Sequence, residues 1–162
     1  MKTKSVEAKR EQRKVDSLGD VIEFMRLLWG LDHGLQSTSK KMGRELGITG
    51  PQRLVIRLVG RYPGISAGEL AEILRLHPST LTGVLARLLD RGALVRASDP
   101  KDARRALFKL TAAGKKLDAS KAGTVEATVR KVLNRLPEAK VTAAREVLTA
   151  LSRDLGVDDE RA

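Results

Sequence analysis

Apolar residues along this chain fall mostly at helical spacing, with one short stretch of alternation. Val21, Phe24, Met25, Leu28, Leu31 and Leu35 recur at three- and four-residue steps, which predicts a long first helix over 17–46 with one buried face. Gly30 and Gly34 would weaken or bend it, and Gly47 would stop it. A second helix is predicted over 51–61, with Leu54, Val55, Leu58 and Val59 inward. Pro51 suits its first turn, where a missing N–H does no harm. After Tyr62-Pro63-Gly64, the run Ser66-Ala67-Gly68-Glu69 has capping-box spacing: the Ser66 hydroxyl can accept from the Glu69 N–H, and the Glu69 carboxylate from the Ser66 N–H. Leu70, Ala71, Ile73 and Leu74 give this third helix its apolar face. His77-Pro78 opens a fourth, with Leu81, Val84, Leu85, Leu88 and Leu89 inward and Gly92 at its end.

The period then changes. Residues 93–97 and 106–110 read as two short strands, with the polar stretch 98–105 between them. Thr111-Ala112-Ala113-Gly114 caps a fifth helix expected to run to about Leu136; Pro137 breaks it, and a sixth continues to about Leu155. Val125, Val129, Val132 and Leu136, then Val141, Ala144, Leu148, Leu151 and Leu155, form seams that want a partner helix. These seams can pack on each other within one chain. The rest of the chain already supplies inward faces enough for a small core, so a homodimer is expected. The predicted fold is mainly α with a small β-hairpin. Its parts are a charged tail (1–16), a dimerisation helix (17–49), a winged helix-turn-helix (50–111) and C-terminal dimerisation helices (112–162).

Composition narrows the partners. The 162 residues suit one domain with an ordinary core. Lys plus Arg is 31 against 20 for Asp plus Glu, a formal charge of +11, which favours a polyanion because cationic side chains displace counterions condensed on phosphates. An anionic membrane surface would answer the same charge. The tail carries Lys2, Lys4, Lys9, Arg10, Arg13 and Lys14 against Glu7, Glu11 and Asp16 and reads either as a frayed end or as a basic arm on DNA or the partner subunit. With no cysteine, disulfides, thiol catalysis and thiolate metal sites are excluded. His33 and His77 alone are too few for a zinc cluster, and no metal or other cofactor is expected. No apolar run approaches the roughly 20 residues of a membrane span and no signal peptide is visible, so a cytoplasmic protein is expected. Aromatics at 2% argue against stacking on single-stranded bases.

Helix, capped turn, helix and hairpin in this order describe a winged helix-turn-helix, whose second helix can enter the major groove. That helix begins His77-Pro78-Ser79-Thr80-Leu81-Thr82-Gly83, a surface of short hydroxyls and a glycine that allows close backbone approach. Arg87, a turn further on, can reach a phosphate or a base, or hold the domain together. A hairpin tip carrying arginine can enter a narrow minor groove, where the negative potential is enhanced. Asp102 stands two residues before Arg104 and can orient its guanidinium.

These residues carry a resemblance to the MarR family of bacterial winged-helix regulators: SAGELAEIL (66–74), HPSTLTGVLARLLDRG (77–92), DPKDAR (99–104) and LTAAG (110–114). The resemblance runs from about Gly50 to Gly114. It implies DNA contacts from Ser79, Thr80, Thr82, Gly83 and Arg87 and a wing arginine at Arg104 supported by Asp102. Ser66 and His77 at the helix starts, with Lys101 and Arg105 on the hairpin, complete the expected DNA-binding set. Members often carry a polar or basic residue at Gly83, Arg at Lys101 and Arg at Ala103; this wing is therefore less basic, with Arg105 as a compensating charge. The resemblance further implies an imperfect palindrome in double-stranded DNA as target, and repression relieved by a small aromatic or anionic ligand. Trp29, His33 and Arg57 are the candidate ligand residues; each also reads plainly as packing or solvated surface. The competing reading is an architectural or anti-silencing DNA-binding protein without a ligand. No phosphate loop, metal spacing or paired nucleophile and base supports an enzyme.

Overall fold

The computed structural model describes residues 19–156; the charged segment 1–16 lies outside the described residues. Seven helices and three strands are seen among them: α1 (Asp20–Glu45), α2 (Gly50–Arg61), β1 (Ile65–Ser66), α3 (Ala67–Leu74), α4 (Pro78–Asp90), β2 (Leu94–Asp99), β3 (Asp102–Leu110), α5 (Ala112–Ala119), α6 (Val125–Leu133) and α7 (Glu138–Asp154). The chain divides at Ser37/Thr38 into two units.

The first unit contains most of α1, which runs unbroken through Gly30 and Gly34. Its predicted inward face is not covered: Val21, Phe24, Met25, Leu31 and Leu35 are all exposed.

In the second unit the core lies where α2, α3, α4 and the sheet meet. Val55, Ile56 and Val59 of α2, Leu70 of α3 and Leu81, Val84, Leu85 and Leu88 of α4 close on Leu94 and Phe108. Pro51 does sit in the first turn of α2, and Gln52 Oε1 accepts from the Thr49 N–H at 2.9 Å. The inward face of α2 is rotated from the expected one. Gln52, Val55, Ile56 and Val59, spaced three and four apart, are buried, whereas Leu54 is exposed. Arg53 shares the buried side because its guanidinium finds acceptors there. Ile73 of α3 is likewise exposed.

The hairpin is longer than the alternation suggested. Its ladder runs from Leu94↔Leu110 to Asp99↔Asp102, so only Pro100 and Lys101 form the turn. The polar residues extend the strands because their side chains bond locally: Asp99 Oδ1 accepts from the Lys101 N–H (2.9 Å) and Asp102 Oδ1 from the Arg104 N–H (3.0 Å). Leu94 and Phe108 are the buried residues of this ribbon, Ala106 still packs on the core, and residues 95–98 and 103–105 are exposed. A third strand escaped the sequence reading: Ile65 pairs with Phe108 and Ser66 with Leu107, giving the sheet order β1-β3-β2. Two residues are too few to show alternation.

The expected fifth helix is two helices. The Thr111 hydroxyl caps α5 by accepting from the Gly114 N–H at 3.0 Å, as the sequence predicts. The helix ends at Ala119, and Thr124 starts α6 by accepting from the Ala127 N–H at 3.3 Å. Gly123 supplies the left-handed residue (φ 71°) that turns the chain. Pro137 then opens α7.

Candidate DNA-recognition surface

Helix α3, the turn at Arg75–His77 and α4 form the helix-turn-helix. The turn reverses at Arg75, a non-glycine residue held left-handed at φ 50°. The His77 ring caps α4: its Nδ1 accepts from the Ser79 N–H (3.2 Å) and lies 2.6 Å from Ser79 Oγ. The Thr82 hydroxyl donates to the Pro78 carbonyl at 2.8 Å. Burying Leu81, Val84, Leu85 and Leu88 leaves Ser79, Thr80, Thr82, Gly83 and Arg87 on the outer face. Nothing lies within 4 Å of where a Cβ on Gly83 would stand, so the glycine leaves an open notch in this face.

The wing brings Lys101, Asp102 and Arg104 to its tip. Asp102 Oδ1 accepts from Arg104 Nε at 3.3 Å, and the Arg104 side chain is 93% exposed. A cation this accessible and held at its root by a carboxylate is available to a polyanion.

Ser66 and Arg105 are placed differently from the rest of the expected set. Ser66 is buried, and its hydroxyl donates to Glu69 Oε2 at 2.6 Å while accepting from the Glu69 N–H at 3.3 Å. The Glu69 carboxylate also accepts from the Ser66 N–H at 2.8 Å, which completes the predicted capping box. The Ser66 hydroxyl bond first and then its N–H hold the Glu69 carboxyl below its ordinary pKa; burial opposes them, and the nearby Arg105 charge adds a lesser lowering. Arg105 Nη2 reaches Ser66 Oγ at 3.3 Å and Glu69 Oε2 at 3.5 Å, with Asp99 3.9 Å from its Nε. Its guanidinium is thus drawn back toward the start of α3, leaving Lys101 and Arg104 as the forward charges of the tip.

The ligand candidates fall in both units. Trp29 and His33 are exposed on α1. Arg57 on α2 donates through Nη1 to Asp118 Oδ1 at 2.6 Å. Sequence reading missed Arg53, the buried neighbour of this pair. A lone arginine on a helix gives no local signal of burial.

A helix-turn-helix with an exposed second helix, followed by a twisted ribbon tipped with arginine, defines the winged-helix class of DNA-binding proteins. Comparison with known proteins agrees. Residues 46–105 match the model of the MarR family. The HTH-type transcriptional repressor Rv2887 of Mycobacterium tuberculosis is 31% identical over 109 residues, covering 67% of this chain and 78% of that protein. The S. aureus MepR–DNA complex matches in fold with a TM-score of 0.69 at 19% identity, over 82% of this chain and 97% of that one. The Streptomyces coelicolor regulator PcaV, solved in complex with its natural ligand, gives 0.66 at 24% identity, over 78% and 89%. The chain belongs to the MarR family. It is a DNA-binding transcriptional regulator and not an enzyme. Among the described residues, no helix is long and apolar enough to cross a membrane.

Proposed function

We propose that this protein is a homodimeric repressor that reads an imperfect palindrome with the outer face of α4 and the tip of the wing. The observation that carries the reading is the pairing of an exposed Ser79-Thr80-Thr82-Gly83 face with an Asp102-oriented, solvent-exposed Arg104. A recognition helix at Ser79–Gly83 is short in side chains. Close backbone approach, together with phosphate contacts, then provides affinity, and the wing adds sequence preference. Arg87, exposed one turn later, serves as a phosphate contact, as does Lys101 at the tip.

The dimer reading rests on apolar surface. Val129, Val132 and Leu133 on α6, and Val147 and Leu148 on α7, are exposed in the single chain. Exposed apolar stripes on successive helices mark an interface with another copy. Residues 17–49 and 112–162 then serve as the dimerisation region and 50–111 as the DNA-binding domain. Two recognition helices in successive major grooves would stand about 34–36 Å apart.

A small aromatic or anionic ligand that favours one dimer geometry would relieve repression, since a ligand shifts an equilibrium only by its differential affinity. Of the candidate ligand residues, Arg57 is engaged by Asp118 and would have to exchange that partner to bind an anion.

The deciding experiment is gel-shift titration of wild type and Arg104→Ala on an operator selected from random DNA, and on random DNA itself, at several salt concentrations. Arg104→Ala should lose about 1–3 kcal/mol on the operator. Unchanged operator affinity removes Arg104 from the site. Equal affinity for operator and random DNA at every salt favours an architectural role without a ligand.

A further inference from the structure

The break between α5 and α6 is built around one buried cation. The Arg53 side chain is 3% exposed, and its guanidinium meets four acceptors. Nε donates to Glu126 Oε1 at 2.6 Å, Nη1 to the Leu117 carbonyl, and Nη2 to the carbonyls of Asp118 (3.2 Å) and Ser120 (2.6 Å). Three of the four are carbonyls at the C-terminal end of α5, where a cation answers the negative end of the helix dipole. The fourth is a carboxylate in the first turn of α6, where an anion answers the positive end. One rigid fork thus binds the end of one helix and the start of the next to α2. Only guanidinium has the planar array of donors for this; an ammonium would leave carbonyls unpaired.

The surroundings fix the same corner. Thr124 is buried and donates to the Lys121 carbonyl at 3.1 Å while capping α6. Asp118 is held by Arg57 one turn along α2. The crevice beside Arg53, Lys121 and Glu126 has a volume of only about 30 Å³, room for a water molecule but not for an aromatic ligand. The corner is therefore stiff and filled. It stands between the winged domain and the helices that carry the exposed apolar stripes.

We propose that Arg53 is a positioning residue for DNA binding: by locking the α5–α6 elbow it sets the direction in which α6 and α7 leave the winged domain, and so the separation of the two recognition helices. The proposal rests on the homodimer reading above. A loosened elbow leaves each half of the dimer able to bind its own half-site but removes the fixed spacing between them.

The test uses the full chain and an operator selected with the wild-type protein. Affinities are measured for that operator, for versions with one base pair inserted or deleted between the half-sites (a shift of about 3.4 Å), and for a single half-site. Wild type, Arg53→Lys and Glu126→Ala are compared, each shown by circular dichroism to be folded at the assay temperature. Glu126 is partly exposed, so Glu126→Ala carries the test if Arg53→Lys does not fold. Expected is unchanged affinity for the single half-site, together with a spacing penalty about tenfold smaller than wild type, a typical site-to-site coupling. Variants that melt earlier yet keep the full wild-type spacing penalty overturn the proposal, because Arg53 then only stabilises the fold. A wild type that binds one half-site as tightly as two overturns the dimer reading itself, and this inference with it.

Discussion

The winged domain and the two C-terminal helices are built from similar apolar residues but end in opposite states. Leu70 of α3 and Leu81 and Leu88 of α4 are buried where these helices close over a sheet. Leu133, Leu148 and Leu155 have the same chemistry and similar spacing, yet they remain in contact with solvent. The first region completes its own core, and exposed side chains on it are held by local bonds such as Asp102 to Arg104. The second leaves its apolar stripes exposed among the described residues. Apolar periodicity therefore predicts that a face will be covered; it does not say whether by the same chain or by another.

The contrast can be broken most strongly at a matched pair of leucines. Leu88→Ala should cost about 2–5 kcal/mol in urea unfolding through lost burial and a cavity. Leu148→Ala, at a half-exposed position, should leave the winged domain nearly as stable and instead weaken self-association in sedimentation. Equal losses at high dilution from both would mean that α7 is covered within its own chain.

Gly114→Ala tests the close seam between α5 and the hairpin, because a Cβ there would fall on the Ala93 carbonyl. Overpacking against backbone should cost about 1–3 kcal/mol in thermal unfolding. A variant as stable as wild type would show that α5 can shift freely.

A smaller effect follows from Glu69. Its folded pKa lies below the ordinary value of 4.5, so its contribution to stability is present above that value and is lost as pH falls through the folded pKa. Wild type should exceed Glu69→Gln in melting temperature at neutral pH, and the two should converge in acid. A constant difference across that range would remove the carboxylate charge as the cause.

The smallest expected change is at Gly83. Open space around it makes Gly83→Ala tolerable and, inside a helix, stabilising by roughly 0.5–1 kcal/mol. If the glycine serves close approach to DNA, the same variant should be more stable and bind more weakly. Stability gained with no loss of affinity would place the contact elsewhere on α4.

Much of the candidate site was legible because its interactions are short in sequence. The Ser66–Glu69 capping box, the Thr111 cap, the outer face of α4 and the Asp102–Arg104 pair each join residues two to four positions apart or repeat at a fixed period. Such features survive any arrangement of the remaining chain. The length of the wing was less legible, since Ser98 to Arg105 reads as loop by composition while side-chain bonds from Asp99 and Asp102 keep it paired.

Local chemistry thus determined the helices up to α4, the caps, the hairpin and the candidate DNA-facing residues of this MarR-family regulator. Tertiary structure alone decided which arginines face outward. Arg104 and Arg105 are adjacent and alike, yet one points to solvent and the other is drawn to Ser66, 39 residues away. Arg53 is indistinguishable by sequence from the exposed Arg57, and its acceptors at Leu117, Ser120 and Glu126 are 64 to 73 residues distant. A buried charge is tolerable only where several partners converge, and that convergence exists only once α2, α5 and α6 have packed.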